Sequence, residues 1–390
     1  MIEYFFYLIL GIFLGIITGL LPGIHTNLAS ILISSFFISS PTNLAIILIS
    51  MAITNSFIDF IPSIYLGAPE QDSSLSVLPG HDLLLQGKAH RAVIFSSLGA
   101  LSSCILLVLL FPIFYFFLPF YPTIEKIMSF LLIIIAIILI SKEKQMFSAL
   151  LIFLLSGFLG VLTLQLPMQQ PLLPLLSGLF GASTMLFSIS KKSFIPKQEI
   201  EKVEIEKRKL FAPFLLSFIF SPLCSILPGL SNNEAATISS SIKKLDREQF
   251  LFLTGSISTL VLSLSLFTLF FINKARTGTT AIISQTLNLT PNFLLILIIV
   301  IFISSMLSFF LVLLISKIFS KIITKINYSL LSIFILIFLS IIVLFFSGII
   351  GLLVFSTATL IGITCIFLNV RRSLLMSCLI LPTIFLYLPI

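Results

Sequence analysis

The chain has 390 residues, of which 58% are hydrophobic and only 9% carry a charge, against about 25% in an ordinary soluble domain. So few charges do not cover a soluble surface, which excludes a cytoplasmic enzyme, a disordered protein and a nucleic-acid-binding protein despite the net charge of +8. We therefore predict an all-α, multi-pass protein of the plasma membrane, in which the excess of positive charge reports topology.

The chain begins with an apolar run, MIEYFFYLILGIFLGIITGLLPG, that lacks a basic region and a cleavage site. We interpret it as a retained first helix. A membrane-spanning helix needs about 17–25 predominantly apolar residues. Such runs lie near 4–21, 43–61, 92–118, 124–141, 147–164, 172–190, 211–227, 249–272, 291–316, 328–346, 350–368 and 373–389.

A charged stretch interrupts these runs. KKSFIPKQEIEKVEIEKRK, at 191–209, holds 11 of the chain's charged residues. This spacing suggests a short amphipathic or solvated helix. The sequence therefore predicts a first membrane repeat at 1–190, a charged cytoplasmic linker at 191–210 and a second membrane repeat at 211–390.

Two similar motifs indicate that the chain is duplicated. LPGIHTNLA at 21–29 and LPGLSNNEA at 227–235 share Leu, Pro, Gly, Asn and Ala at an offset of 206. Each motif follows the first apolar run of its half, and we expect it to form a Pro-Gly broken, re-entrant hairpin. A hairpin enters and leaves the membrane on the same side, so about five transmembrane helices leave each repeat with an odd number of crossings. The second repeat is therefore predicted to be inverted.

The distribution of basic residues agrees with this inversion. If the linker is cytoplasmic, 19 of the 22 Lys and Arg residues fall on the inner side, as the positive-inside rule requires. The three outer ones are Lys126, Lys274 and Arg276.

Polar residues follow both Pro-Gly breaks. Transporters built from inverted repeats bind substrate where broken helices expose backbone groups near the bilayer midplane. A helix that starts after such a break directs free N–H groups at an anion. An interfacial turn with an Asn N-cap is the alternative interpretation. The substrate-binding candidates are Pro22, Gly23, His25, Thr26 and Asn27 in the first hairpin, and Pro228, Gly229, Ser231, Asn232 and Asn233 in the second.

Asn55 and Asp59 lie four residues apart and therefore on one helix face. An ionisable group within an apolar span is expensive, which makes Asp59 a candidate proton or cation ligand. A structural partner for another buried polar group, or a position near the interface before Pro62, is the alternative. Glu234, beside the second hairpin, has the same competing interpretations.

In each half, one further segment follows the second membrane element. The first is predicted to be unwound and rich in oxygen ligands suited to Na⁺; it contains Gly67, Ala68, Pro69, Glu70, Asp72 and Ser73. Its counterpart contains Arg276, Thr277, Gly278 and Thr279 beside Lys274, and is predicted to bind a carboxylate or phosphate, or else to be a solvated basic loop.

The residues indicate no cofactor apart from Na⁺ or H⁺ as a coupling ion. His81, Asp82 and His90 have no metal-ligand spacing, and the four cysteines are scattered through apolar sequence. We also find no HExxH, GxSxG or Walker motif, so an enzyme is not expected.

Four segments resemble the large membrane subunit of the tripartite tricarboxylate transporters, the TctA-type permeases. They are LLPGIHTNLASIL, IYLGAPEQDSSLSVLPGHDLLLQGKAHRAV, SILPGLSNNEAATISS and REQFLFLTGSISTLVLSLSLFTLFFINKARTGTTAII. The resemblance implies an ion-driven organic-acid permease that works with a small membrane subunit and an extracytoplasmic binding protein. It implicates Pro22, Gly23, Asn27, Gly67 to Ser73, Pro228 to Asn233 and Arg276 to Thr279.

This chain departs from the family pattern in two ways. It is about a hundred residues shorter than the typical large subunit, which suggests a compact variant that acts without partner subunits. GAPEQDS stands where TPGTPAS is usual, so Glu70 and Asp72 add acid that repels an anion unless a cation or proton intervenes.

The resulting hypothesis is a secondary active permease for a small organic anion such as a di- or tricarboxylate, coupled to Na⁺ or H⁺ by alternating access. A translocase of an amphiphilic phosphate, such as a polyprenyl-phosphate lipid carrier, is the first alternative. A non-transporting membrane scaffold is the second. The expected partners are the lipid bilayer and the anion, with a homodimer as one compatible assembly and no nucleic acid.

Overall fold

The structure is a computed structural model, and every regular element that it describes is helical. The described residues are 2–21, 26, 29–30, 33–34, 40–67, 77–117, 128–141, 143–168, 170–190, 196–200, 204–226, 232–323 and 328–388.

The elements before the linker are α1 (Ile2–Leu20), α2 (Pro41–Ile58), a π-helix (Pro62–Leu66), α3 (Val77–Leu85), α4 (Ala89–Phe117), α5 (Met128–Ser141), α6 (Met146–Gln165), α7 (Leu172–Leu176), a second π-helix (Ser177–Ala182) and α8 (Ser183–Ser190). Those after it are α9 (Lys207–Ile226), α10 (Asn232–Ile242), α11 (Arg247–Ile272), α12 (Gly278–Thr286), α13 (Pro291–Ile323), α14 (Tyr328–Phe367), a 3₁₀-helix (Arg372–Met376) and α15 (Ser377–Tyr387).

The chain is a multi-pass membrane protein. Within the described residues, eight helices are long and apolar enough to cross a membrane, and three shorter apolar helices accompany them. Over its described residues, each of the twelve apolar runs of the sequence coincides with one or more helices. The runs at 328–346 and 350–368 both fall in α14, which is interrupted at Gly348, whose φ of 64° only glycine adopts readily.

Helix α2 lies at the centre of the fold. Every residue from Asn43 to Ile58 is buried, because α1 and α13 cover it together with α11 and α12. Its hydrophobic side chains therefore surround it on all sides rather than forming one stripe.

Helices from opposite sides of the linker pack closely against each other. α4 crosses α11 at Gly99 and Gly255, where a Cβ atom on either glycine would overlap the carbonyl oxygen of Phe252 or Ser96. α2 packs on α13 and α6 packs on α15. The two parts of the chain thus interdigitate.

The linker docks onto the turn between α3 and α4. Gln198 is 6% exposed; its side-chain oxygen accepts from the Ala89 N–H (3.0 Å) and its amide nitrogen donates to the Leu84 carbonyl (3.0 Å). Residues 196–200 and 204–206 are not helical, so the predicted linker helix is wrong there. The chain instead runs across the turn, where the Glu199 N–H donates to the Gly87 carbonyl (2.7 Å).

Ion pairs also join the α3–α4 segment to the second part of the chain. Arg91 contacts Glu248 at 2.6 Å, and Arg247 contacts Asp82 at 3.1 Å. Both pairs connect the α3–α4 segment to the start of α11, so charges from the two parts of the chain meet at one face.

Candidate functional site

The predicted pair Asn55 and Asp59 is buried inside the helical bundle. Asn55 is 4% exposed and donates from Nδ2 to Thr18 Oγ1 of α1 at 3.2 Å. Asp59 is 2% exposed, and its backbone N–H donates to the Asn55 carbonyl at 2.9 Å. The structure therefore places an ionisable side chain inside the protein and away from lipid.

Helix α2 changes geometry at Asp59 because of the residues that follow. Pro62 has no N–H to donate to the carbonyl four residues earlier, and the chain continues as a π-helix. Ser63 compensates, since both its N–H (3.2 Å) and its hydroxyl (2.8 Å) donate to the Asp59 carbonyl. The π-helix ends at Gly67, whose φ of 61° is left-handed.

Hydroxyl groups join α2 to the helices of the second part of the chain. Ser56 Oγ lies 3.0 Å from Thr259 Oγ1 of α11, and Ser308 Oγ of α13 donates to Thr54 Oγ1 at 2.9 Å. All four side chains are buried. A polar seam therefore runs through the apolar core at the level of Asn55.

The first predicted hairpin meets the basic segment of the second part. Ser30 Oγ lies 3.2 Å from Thr279 Oγ1, and both side chains are almost fully buried. Thr26, on the same hairpin, is half-buried and helical. The structure thus brings Ser30, which follows the first LPG motif, next to the start of α12.

The start of α12 is a capped helix N-terminus. Thr277 caps the helix, accepting from the Thr280 N–H at 3.2 Å while the Thr280 hydroxyl accepts from the Thr277 N–H at 3.1 Å. Gly278 is the first helical residue. Arg276 is half-buried and Lys274 is exposed, so both cations precede this N-terminus as the sequence predicts.

The second predicted hairpin leads into α10. This helix begins at Asn232, which is half-buried, and Asn233 is 1% exposed. α10 packs on α9, on α11 and on the 3₁₀-helix at Arg372–Met376. Asn233 is therefore inside the bundle, and its role in binding stays a prediction.

Comparison with known families gives a match over nearly the whole chain. The model of the "Tripartite tricarboxylate transporter TctA family" matches residues 5–377. The chain belongs to the TctA family. It is 34% identical to the uncharacterised protein MJ1079 of Methanocaldococcus jannaschii over 397 residues, covering 98% of each chain. No solved structure matches it.

Membership of the TctA family identifies the chain as a membrane transporter component rather than an enzyme. It also implies partner subunits and a binding protein at the level of the family.

Several predicted site residues of this TctA-family protein lie outside the described residues. They are Pro22, Gly23, His25, Asn27, Ala68, Pro69, Glu70, Asp72, Ser73, Pro228, Gly229 and Ser231. Glu234 belongs to α10, but its side chain is not among those described. Their roles stay predictions.

Sequence reasoning missed two polar clusters. Tyr65 Oη lies 3.0 Å from Ser316 Oγ and 2.6 Å from Ser320 Oγ, and His90 Nδ1 lies 2.9 Å from the same Ser316 hydroxyl. Arg372, counted among the inner cations, is buried against α8 and the second π-helix. The signal that could have found Arg372 is its place directly before the last apolar run.

Proposed function

We propose that this TctA-family protein is a secondary active permease for a small organic anion such as a di- or tricarboxylate. Substrate would bind between two inverted repeats, coupled to Na⁺ or H⁺, and move by alternating access. The observation that carries the proposal is the contact of Ser30, which follows the first LPG motif, with Thr279 at the capped, cation-flanked N-terminus of α12.

The bounds of the helices support a duplication of the chain. Pro41–Leu66 and Arg247–Ile272 are both spans of 26 residues. Their first residues differ by 206, the offset of the two LPG motifs. Each span is followed by a left-handed residue, Gly67 with φ 61° and Asn273 with φ 52°.

The packing supports the same relation. α4 packs on α11, and their counterparts under the repeat, α13 and α2, pack on each other. Likewise α1 packs on α2 as α9 packs on α11. These helix pairings thus recur in both halves at the offset of 206.

The proposed roles follow from position and chemistry. Asn27 and Asn233 would bind the substrate at the paired hairpins, with Arg276 offsetting its charge. Asp59, Glu70 or Asp72 would carry the coupling ion. Support for Asp59 is its burial at the break between α2 and the π-helix, where backbone geometry is irregular.

Binding and uptake of labelled citrate and succinate by the purified protein test this function. We expect binding by the chain alone, and uptake into proteoliposomes that needs a Na⁺ or H⁺ gradient. An N27A/N233A double variant should lose both, whereas Asn292→Ala, an exposed amide at the start of α13, should keep both. Normal binding by a folded double variant would refute the site assignment.

Coupling is tested separately at Asp59. Asp59→Asn keeps the size of the side chain but removes its charge, so citrate exchange without a gradient should persist while gradient-driven uptake is lost. The measurement is labelled-citrate flux with and without an imposed gradient. If gradient-driven uptake is unchanged, the coupling ion is carried elsewhere, with Glu70 and Asp72 as the next variants.

A further inference from the structure

Arg372 is a buried cation in the 3₁₀-helix that precedes α15. It is 6% exposed, and its Nη2 donates to the carbonyls of Leu179 and Phe180 (2.9 Å each) and to Ser183 Oγ (2.7 Å). Nη1 donates to Thr184 Oγ1. These acceptors are neutral groups of the second π-helix and α8.

The guanidinium has no anionic partner in the part of the chain that the structure describes. No carboxylate forms an ion pair with it there, and its Nε, also buried, has no hydrogen-bond acceptor among the described residues. Burial lowers the pKa of Arg372 to about 10, so the group is still charged at neutral pH. A buried, unpaired charge is costly unless an anion arrives to offset it.

The surroundings of Arg372 connect it to the second hairpin. The 3₁₀-helix that carries it packs on α10, the helix that begins with Asn232 and Asn233. The charge of Arg372 also acts on His81 of α3, whose pKa falls to about 4 through burial and then through that charge. His81 is therefore neutral at pH 7 and does not compete for an anion.

We infer that Arg372 is a second anion-binding residue, which receives a substrate carboxylate at Nε on the side of the second hairpin. It complements Arg276 on the side of the first hairpin, so each hairpin has one arginine. An arginine suits this role because its planar fork holds neutral acceptors on two nitrogens while the third binds a carboxylate oxygen. The inference rests on the proposed function, since it assumes a carboxylate substrate.

Equilibrium binding of labelled citrate and succinate to the full-length protein in nanodiscs tests the inference. Arg372→Gln should raise the citrate Kd by about tenfold or more, the usual effect of losing a charge-assisted hydrogen bond. The trianion should lose more affinity than the dianion. Arg372→Lys keeps the charge but not the fork, and should raise the citrate Kd by a smaller factor.

Arg371→Gln is the matched control, because the guanidinium of Arg371 is 59% exposed and pairs with Glu143 at 3.0 Å. Its citrate Kd should equal that of the wild type. If Arg372 only braces the π-helix, both Arg372 variants will melt earlier while their Kd per folded protein stays unchanged, and the inference is then wrong.

If Arg372→Gln does not fold, the Arg372→Lys variant decides. An unchanged citrate Kd overturns the inference and a raised one supports it. Failure of the proposed function looks different, because the wild-type protein itself would then bind neither citrate nor succinate.

Discussion

His81 links the fold's stability to pH at the scale of one side chain. It is 5% exposed, and burial, followed by the charge of Arg372, lowers its pKa from 6.5 to about 4. The unfolded chain therefore binds a proton between these pH values and the folded protein does not. Stability is full above pH 6.5 and should fall by about 3 kcal/mol as the pH drops to 4.

The measurement is thermal or denaturant unfolding in detergent at several pH values. His81→Asn removes the titrating group, so its stability should lack this part of the pH dependence. If the stability of the wild type and that of His81→Asn depend on pH in the same way, His81 is not the group responsible.

At the residue scale, burial was predictable where it follows from the local sequence and not elsewhere. Asn55 and Asp59 sit within an apolar run, which indicates that they lie inside the bundle, and both are buried. Arg372 begins the 3₁₀-helix directly before the last apolar run, which hints at burial, but the contact with Leu179 and Phe180 lies almost two hundred residues away in sequence. Neighbouring residues do not predict such a contact.

At the scale of elements, hydrogen bonds around the Tyr65 hydroxyl connect three helices. Tyr65 Oη joins the first π-helix to Ser316 and Ser320 of α13, and His90 of α4 reaches Ser316. Tyr65→Phe leaves these buried hydroxyls short of a partner and should lower the free energy of unfolding by about 1–3 kcal/mol.

The matched control for this variant is Tyr115→Phe. Tyr115 is 62% exposed near the opposite end of α4, where its ring packs on Phe271. The Tyr115→Phe variant keeps that ring contact without the hydroxyl, so its melting temperature should equal that of the wild type. If both variants melt alike, the Tyr65 hydroxyl adds no stability.

The crossing of α4 and α11 depends on glycine. Since a Cβ at Gly99 would overlap the Phe252 carbonyl oxygen, Gly99→Ala must push the helices apart. We expect a loss of about 1–3 kcal/mol, typical of overpacking. Val108→Leu also enlarges a side chain of α4, but at a 58% exposed position, and should have little effect. Thermal unfolding of both variants in the same detergent gives the comparison.

The helices themselves were largely predictable, because hydrophobic length is a local property of the sequence. The irregularities of the helices were less predictable. Pro62 indicates the end of α2, but nothing in the local sequence indicates that the chain continues as a π-helix. The linker forms no helix at residues 196–200 because Gln198 bonds to the turn before α4.

At the scale of the whole molecule, inversion predicts opposite exposure for equivalent loops. Lys144, between α5 and α6, is exposed, and so is Ile349, beside the break in α14 at the equivalent place in the second half. A parallel duplication would put both loops on one side of the membrane, whereas an inverted one puts Lys144 inside and Ile349 outside.

Substituted cysteines distinguish these arrangements. The native cysteines, Cys104, Cys224, Cys365 and Cys378, are at most 6% exposed, so the wild-type protein should give little background. With a membrane-impermeant thiol reagent, Lys144→Cys should react only in inside-out vesicles, and Ile349→Cys and Lys274→Cys only in right-side-out vesicles. Glu204→Cys in the linker controls for vesicle orientation and should react like Lys144→Cys. Reaction of positions 144 and 349 from the same side would exclude inversion, and with it alternating access between two opposed hairpins.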